Sequence, residues 1–106
     1  FMGLTHPQRF GQVIAQSPSL EAIRASDLEH MIDSNAYSNP KAHFILESGI
    51  FETIPCELEF EDGAIQSLSS FDASQNAHDL MKRKKYHTSR YEFIGGHDYV
   101  CWRVSL

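Results

Sequence analysis

Three short apolar runs, each cut off by turn-forming residues and separated by segments of helical spacing, constrain this chain more than any other feature. The first, Phe10 to Gln16, carries Val13-Ile14-Ala15 after His6-Pro7-Gln8-Arg9 and gives way to Ser17-Pro18-Ser19. The second, Ala42 to Glu47, is entered after Asn39-Pro40 and left at Ser48-Gly49. The third, Arg90 to Ile94, sets Tyr91 and Phe93 against Arg90 and Glu92 and stops at Gly95-Gly96. Runs this short, bounded by proline, glycine and serine, predict strands, the first two of them buried.

Helical spacing fills the gaps. Ser19 to Ile32 places Leu20, Ile23, Leu28, Met31 and Ile32 along part of an apolar stripe. Ser74 to Tyr86 brings Ala77, Leu80 and Met81 to one face after a candidate cap at Ser74. Asp98 is the candidate N-cap of a closing helix that sets Cys101 and Trp102, then Ser105 and Leu106, on one face. Strands alternating with helices predict the α/β class, with about three parallel strands joined by right-handed crossovers. Cys56 to Leu68 breaks this rhythm, because Cys56, Leu58 and Phe60 alternate with Glu57, Glu59 and Glu61 before Asp62-Gly63. That pattern fits either a hairpin closed by the Asp-Gly turn or an acidic surface insertion.

Composition narrows the function classes. At 106 residues the chain, 1–106, reads as a single unit, one small domain or a piece of a larger one. Hydrophobic content of 42% and charged content of 22% are those of a soluble globular chain. No apolar run approaches the roughly 18 residues of a spanning helix, and no signal peptide opens the chain, so a cytoplasmic protein with no membrane partner is expected. A net charge of −5 argues against a nucleic-acid partner, which needs a basic surface. The basic run Lys82-Arg83-Lys84-Lys85 reads as the solvated last turn of a helix, its cations complementing the negative end of the dipole. Cys56 and Cys101 form no C-x-x-C pair and are read as thiols. His6, His30, His43, His78 and His87 show no metal-ligand spacing, and no glycine-rich phosphate loop opens a helix, so no metal or cofactor is expected.

The chemistry concentrates at Gly95-Gly96-His97-Asp98, a histidine held between a strand-ending glycine pair and a helix start. Two glycines let the chain turn sharply, and the helix that follows anchors the loop, so the imidazole is presented at a cleft. An imidazole titrates near neutrality and serves as a general base when a carboxylate orients it. Glu52 and Glu47 are the candidate orienting acids, because both flank the turn at the end of the second strand, and functional groups gather at the carboxyl ends of parallel strands.

Gly95-Gly96-His97-Asp98, followed by Cys101-Trp102-Arg103 and Leu106, resembles the closing motif of enterochelin esterases. His6 to Val13 with Gln16-Ser17 resembles the family segment just after the helix that bears the nucleophile. Leu46-Glu47-Ser48-Gly49-Ile50-Phe51-Glu52 resembles the strand and turn that deliver its acid, and Asn76 with Leu80 the next helix. The chain therefore resembles, along nearly its whole length, the C-terminal part of the enterochelin esterase and esterase D group of the α/β-hydrolase fold. The resemblance implies a serine esterase in which His97 is the base, Glu52 the acid three residues after Gly49 with Glu47 the alternative, and Asp98 and Trp102 support the loop. It implies a small-molecule ester substrate, an iron-siderophore trilactone among the candidates.

Two departures accompany it. Residues 56 to 72 are longer and more acidic than the family's usual link. No Gly-x-Ser-x-Gly elbow occurs, and Ser17 and Ser19, flanking Pro18 without glycines, read as loop residues rather than nucleophiles. The nucleophile is therefore expected upstream of Phe1 in a longer parent, the chain alone being inactive. The rival expectation is a non-catalytic remnant that self-associates or binds a partner through an exposed sheet edge.

Overall fold

The computed structural model describes residues 2–38 and 40–105, with the backbone alone for residues 104 and 105. Asn39 and Leu106, both used in the sequence patterns above, lie outside the described residues. In chain order the elements are α1 (Met2–Thr5), β1 (Gln12–Gln16), α2 (Ala25–Ser34), β2 (His43–Gly49), β3 (Pro55–Glu59), β4 (Ile65–Ser69), α3 (Ser70–Arg83), β5 (His87–Phe93) and α4 (Tyr99–Ser105). The three apolar runs form one parallel sheet in the order β1-β2-β5, as their spacing predicts. The chain is α/β.

Strand alternation sends Val13, Phe44 and Thr88 to one face and Gln16, Glu47 and Tyr91 to the other. On the first face Phe44 packs in a buried cluster with Leu4, Ile32, Ala42, Met81 and Tyr86, so α1, α2 and α3 close that side of the sheet. Tyr86 meets Phe44 edge-on at 6.1 Å between ring centroids and satisfies its hydroxyl by donating to the carbonyl of Ile32 at 2.8 Å. β2, the central strand, is the most buried of the three, whereas β1, expected to be buried, lies at the sheet edge with no buried residue and Ile14 51% exposed.

Two further sequence expectations change in detail, and one open alternative is decided in favour of the hairpin. The segment from Ser19 to Ile32 is broken: a 3₁₀ turn over Leu20–Ala22 ends at Ile23, whose φ of −105° and ψ of 135° are extended, and α2 starts only at Ala25. α3 begins at Ser70, and its cap is Ser69, whose hydroxyl accepts from the Asp72 backbone N–H at 3.1 Å and donates to the Asp72 carboxylate at 2.9 Å. Ser74 lies inside that helix, fully buried. Residues 55–69 form an antiparallel hairpin, β3 with β4, turning at Gly63 with φ +81°. Asp62 accepts from the Ala64 N–H at 3.0 Å, which closes the turn, and the Arg24 guanidinium 2.6 Å away holds its carboxyl below the usual range.

Lys82 and Arg83 occupy the last turn of α3, where cations offset the helix dipole. Lys84 pairs with Asp33 at 2.7 Å, and that carboxylate holds its ammonium above the ordinary value. Cys56 and Cys101 are separate half-buried thiols. Among the described residues no helix is long and apolar enough to cross a membrane.

Candidate active site

Parallel strands bring the loops that follow them to one end of the sheet. Ser17 follows β1, Glu52 follows β2 and His97 follows β5, so three residues far apart in sequence share that end. The loops are tied together by main-chain hydrogen bonds: Ser17 N–H to Glu47 O at 2.8 Å, Ile50 N–H to Phe93 O at 3.0 Å and Phe51 N–H to Gly95 O at 3.1 Å. These crossings are tight at two glycines, and at Gly49 the clash would be with backbone. A Cβ on Gly49 would strike the carbonyl oxygen of Gly95, and a Cβ on Gly95 would strike the Cys101 sulfur.

The turn from Gly49 to Glu52 is closed by the Glu52 N–H on the Gly49 carbonyl at 3.1 Å, which folds the Glu52 side chain back toward the strand ends. Its carboxylate, 2% exposed, then meets three donors. Oε2 accepts from the Ser17 hydroxyl at 2.8 Å and from the Gly49 N–H at 2.6 Å, and Oε1 lies 2.8 Å from His97 Nδ1. An ionised carboxylate only accepts, so the His97 proton belongs on Nδ1 and Nε2 is left as an acceptor. The His97 side chain is 54% exposed, which opens the imidazole to a reactant while its partner is shielded.

Trp102 braces this pair from α4. Its ring stands edge-on to His97 at 5.1 Å between centroids, and its indole N–H donates to the Ser17 hydroxyl at 2.9 Å. Asp98 caps the same helix, its Oδ1 accepting from the Val100 N–H at 2.8 Å and the Cys101 N–H at 3.1 Å, which holds its carboxyl below the ordinary value. Burial and the Asp98 charge push the Cys101 thiol up, away from thiolate chemistry.

Of the two acids named from sequence, the structure brings Glu52 to His97. Glu47 lies on β2, buried, and accepts from Gln16 Nε2 at 3.0 Å; the same nitrogen donates to the Trp102 carbonyl at 3.1 Å. The hairpin does not displace Glu52, because the chain leaves at Glu52 and returns with the Phe71 N–H on the Glu52 carbonyl at 3.0 Å. Ser17, read from sequence as a loop residue, is buried beneath Glu52, with its hydroxyl engaged on both sides. Nothing local in the sequence signals that role, which depends on partners 35 and 85 residues away. A cleft of about 390 Å³ opens over the pair, lined by Ser19, Glu21, Phe51, Glu52, Ile54, Ser70 and His97.

No family model and no curated protein matches the chain. Among solved structures, the enterobactin esterase FES from Shigella flexneri in the presence of enterobactin matches with a TM-score of 0.67 and 26% identity, over 96% of this chain and 23% of that one. The same esterase in the presence of 2,3-di-hydroxy-N-benzoyl-glycine matches at 0.70 and 25%, over 99% of this chain and 25% of that one. The chain resembles part of an enterobactin esterase. It spans about a quarter of that esterase's length, and within that quarter the likeness runs almost from end to end.

Proposed function

We propose that this chain is the C-terminal, histidine-bearing part of a serine carboxylic-ester hydrolase of the α/β-hydrolase fold. One observation carries the reading: a solvent-reachable imidazole whose Nδ1 sits 2.8 Å from a buried carboxylate, on loops at the carboxyl ends of neighbouring parallel strands. In this reading His97 takes the proton from a serine hydroxyl through Nε2 as the acyl-enzyme forms. It returns that proton to the leaving alcohol, and Glu52 holds the tautomer and stabilises the transient imidazolium. Asp98 and Trp102 keep the His97 loop in place.

The nucleophile comes from the portion of the parent protein outside these residues, because the chain contains no Gly-x-Ser-x-Gly elbow and covers about a quarter of the esterase it resembles. The isolated chain is accordingly inactive. The resemblance supports an ester substrate of the enterobactin kind, a siderophore lactone, and the cleft over His97 is where its scissile carbonyl would approach. Self-association through the open sheet edges is the second reading, favoured by Ile14 on β1 and Tyr91 on β5, 51% and 59% exposed. Sedimentation showing a monomer would remove it.

The test of the esterase reading is His97→Ala in the full-length protein, assayed on an activated aryl ester. Loss of the histidine from a serine triad costs about 10⁶-fold in kcat, so turnover should fall by more than about 10⁴-fold with the fold intact. Undiminished turnover overturns the reading.

A further inference from the structure

Ser17 occupies a backbone conformation that a serine adopts at a cost. Its φ is +45°, in the left-handed region where glycine meets no penalty and other residues crowd their own Cβ. Residues held there against their preference call for a reason in the surrounding structure. The reason here is the hydroxyl. It is buried between Trp102 and Glu52, 2.9 Å from the indole nitrogen and 2.8 Å from Glu52 Oε2.

The chemistry of the two neighbours fixes the direction of this chain of hydrogen bonds. An indole N–H donates and never accepts, so the Ser17 oxygen must accept from Trp102. Its single proton is then committed to Glu52. With the Gly49 N–H, two donors converge on Oε2, and the carboxylate is locked in the rotation that aims Oε1 at His97 Nδ1. We propose that Ser17 is a positioning residue for the Glu52–His97 pair, and that Trp102 acts through it as well as through its contact with the imidazole ring. The proposal rests on the esterase reading for its catalytic meaning but not for its geometry.

Ser17→Gly and Ser17→Ala separate the hydroxyl from the backbone. Glycine relieves the positive φ while deleting the hydroxyl; alanine deletes the hydroxyl while keeping the Cβ and the cost of the positive φ. Nitrogen-15 NMR of the neutral His97 ring in the folded chain reports the ratio of the two tautomers without needing turnover. The wild type is expected to hold the Nδ1–H form in large excess. Both Ser17 variants should lower that excess on the order of threefold to tenfold, the scale of one ordinary net hydrogen bond, and Glu52→Gln should abolish it. In the full-length enzyme kcat should fall by a like factor with KM nearly unchanged, an effect that a turn residue would not produce. A folded Ser17 variant that keeps the wild-type tautomer ratio, while Glu52→Gln loses it, overturns the role of Ser17 alone. An unchanged ratio in Glu52→Gln removes the acid–base pairing itself, and with it the esterase reading.

Discussion

Gly49→Ala tests whether the strand ends position the site. The new methyl would overlap the Gly95 carbonyl oxygen, lie 2.9 Å from its carbonyl carbon, and touch Phe93 Cε2 at 3.0 Å. Gly95 O also accepts the Phe51 N–H at 3.1 Å, so backbone meets backbone and neither side can swing away as a flexible side chain would. Ordinary contact requires the loops after β2 and β5 to part by roughly 1 Å, and overpacking of this kind costs about 1–3 kcal/mol. For a chain of this size that is a fall in Tm of roughly 5–20 °C. The same separation would stretch the 2.8 Å contact of Glu52 with His97 beyond hydrogen-bond range. A misplacement of that size can cost about 10²-fold in rate.

The control is Gly96→Ala, one residue from His97, where an added Cβ meets nothing within 4 Å. Thermal unfolding followed by circular dichroism gives the stability, and ester turnover by the full-length protein gives the activity. Gly96→Ala should differ little from wild type in stability. If Gly49→Ala matches it in both readouts, the close crossing of the two loops does not hold the site together.

Other changes have their own measurements. Ile32→Ala, at a position with no exposed surface, should cost about 2–5 kcal/mol by urea unfolding. Tyr86→Phe deletes the 2.8 Å bond to the Ile32 carbonyl and strands a buried acceptor, so a loss of about 1–3 kcal/mol is expected in the same assay. Asp98 has a carboxyl held below its ordinary 3.8 by the Cys101 and Val100 N–H groups. Its contribution to α4 should be fully present above that value and disappear as pH falls through the lower folded one. Asp98→Ala should therefore lose stability at neutral pH and show a shallower acid dependence, read from unfolding midpoints across pH 2–6.

The strands are legible because short apolar or alternating runs end in chemically marked turns; burial explains only β2, since β1 and β5 are half-exposed edge strands. β5 extends to His87, three residues before its apolar stretch, because it is an edge strand and tolerates His87, Thr88 and Ser89 on a half-open surface. The sequence reading puts the cap of α3 at Ser74 rather than Ser69, because the apolar face of Ala77 and Met81 marks the helix but says nothing of its first residue. The break at Ile23 and Arg24 was hidden, since the apolar stripe continues across it. The hairpin followed from its Asp-Gly turn, but choosing it over an insertion required the β3–β4 pairing.

For the site, sequence offered His97 and two acids. The structure distinguishes the acids by their partners, Glu52 facing His97 and Glu47 facing Gln16. Ser17 was invisible because a buried hydroxyl in a left-handed turn looks, in sequence, like any loop serine.

The central claim is that Glu52 and His97 form the acid–base pair of an ester hydrolase. Its most direct test is turnover of an activated ester by the full-length protein carrying Glu52→Gln, beside the same protein carrying Glu47→Gln. An amide in place of the orienting acid favours the wrong tautomer and should lower kcat by about three to four orders of magnitude at position 52. At position 47, where the amide oxygen can still accept from Gln16, most activity should remain. Loss at 47 with retention at 52, or retention at both, would contradict the account.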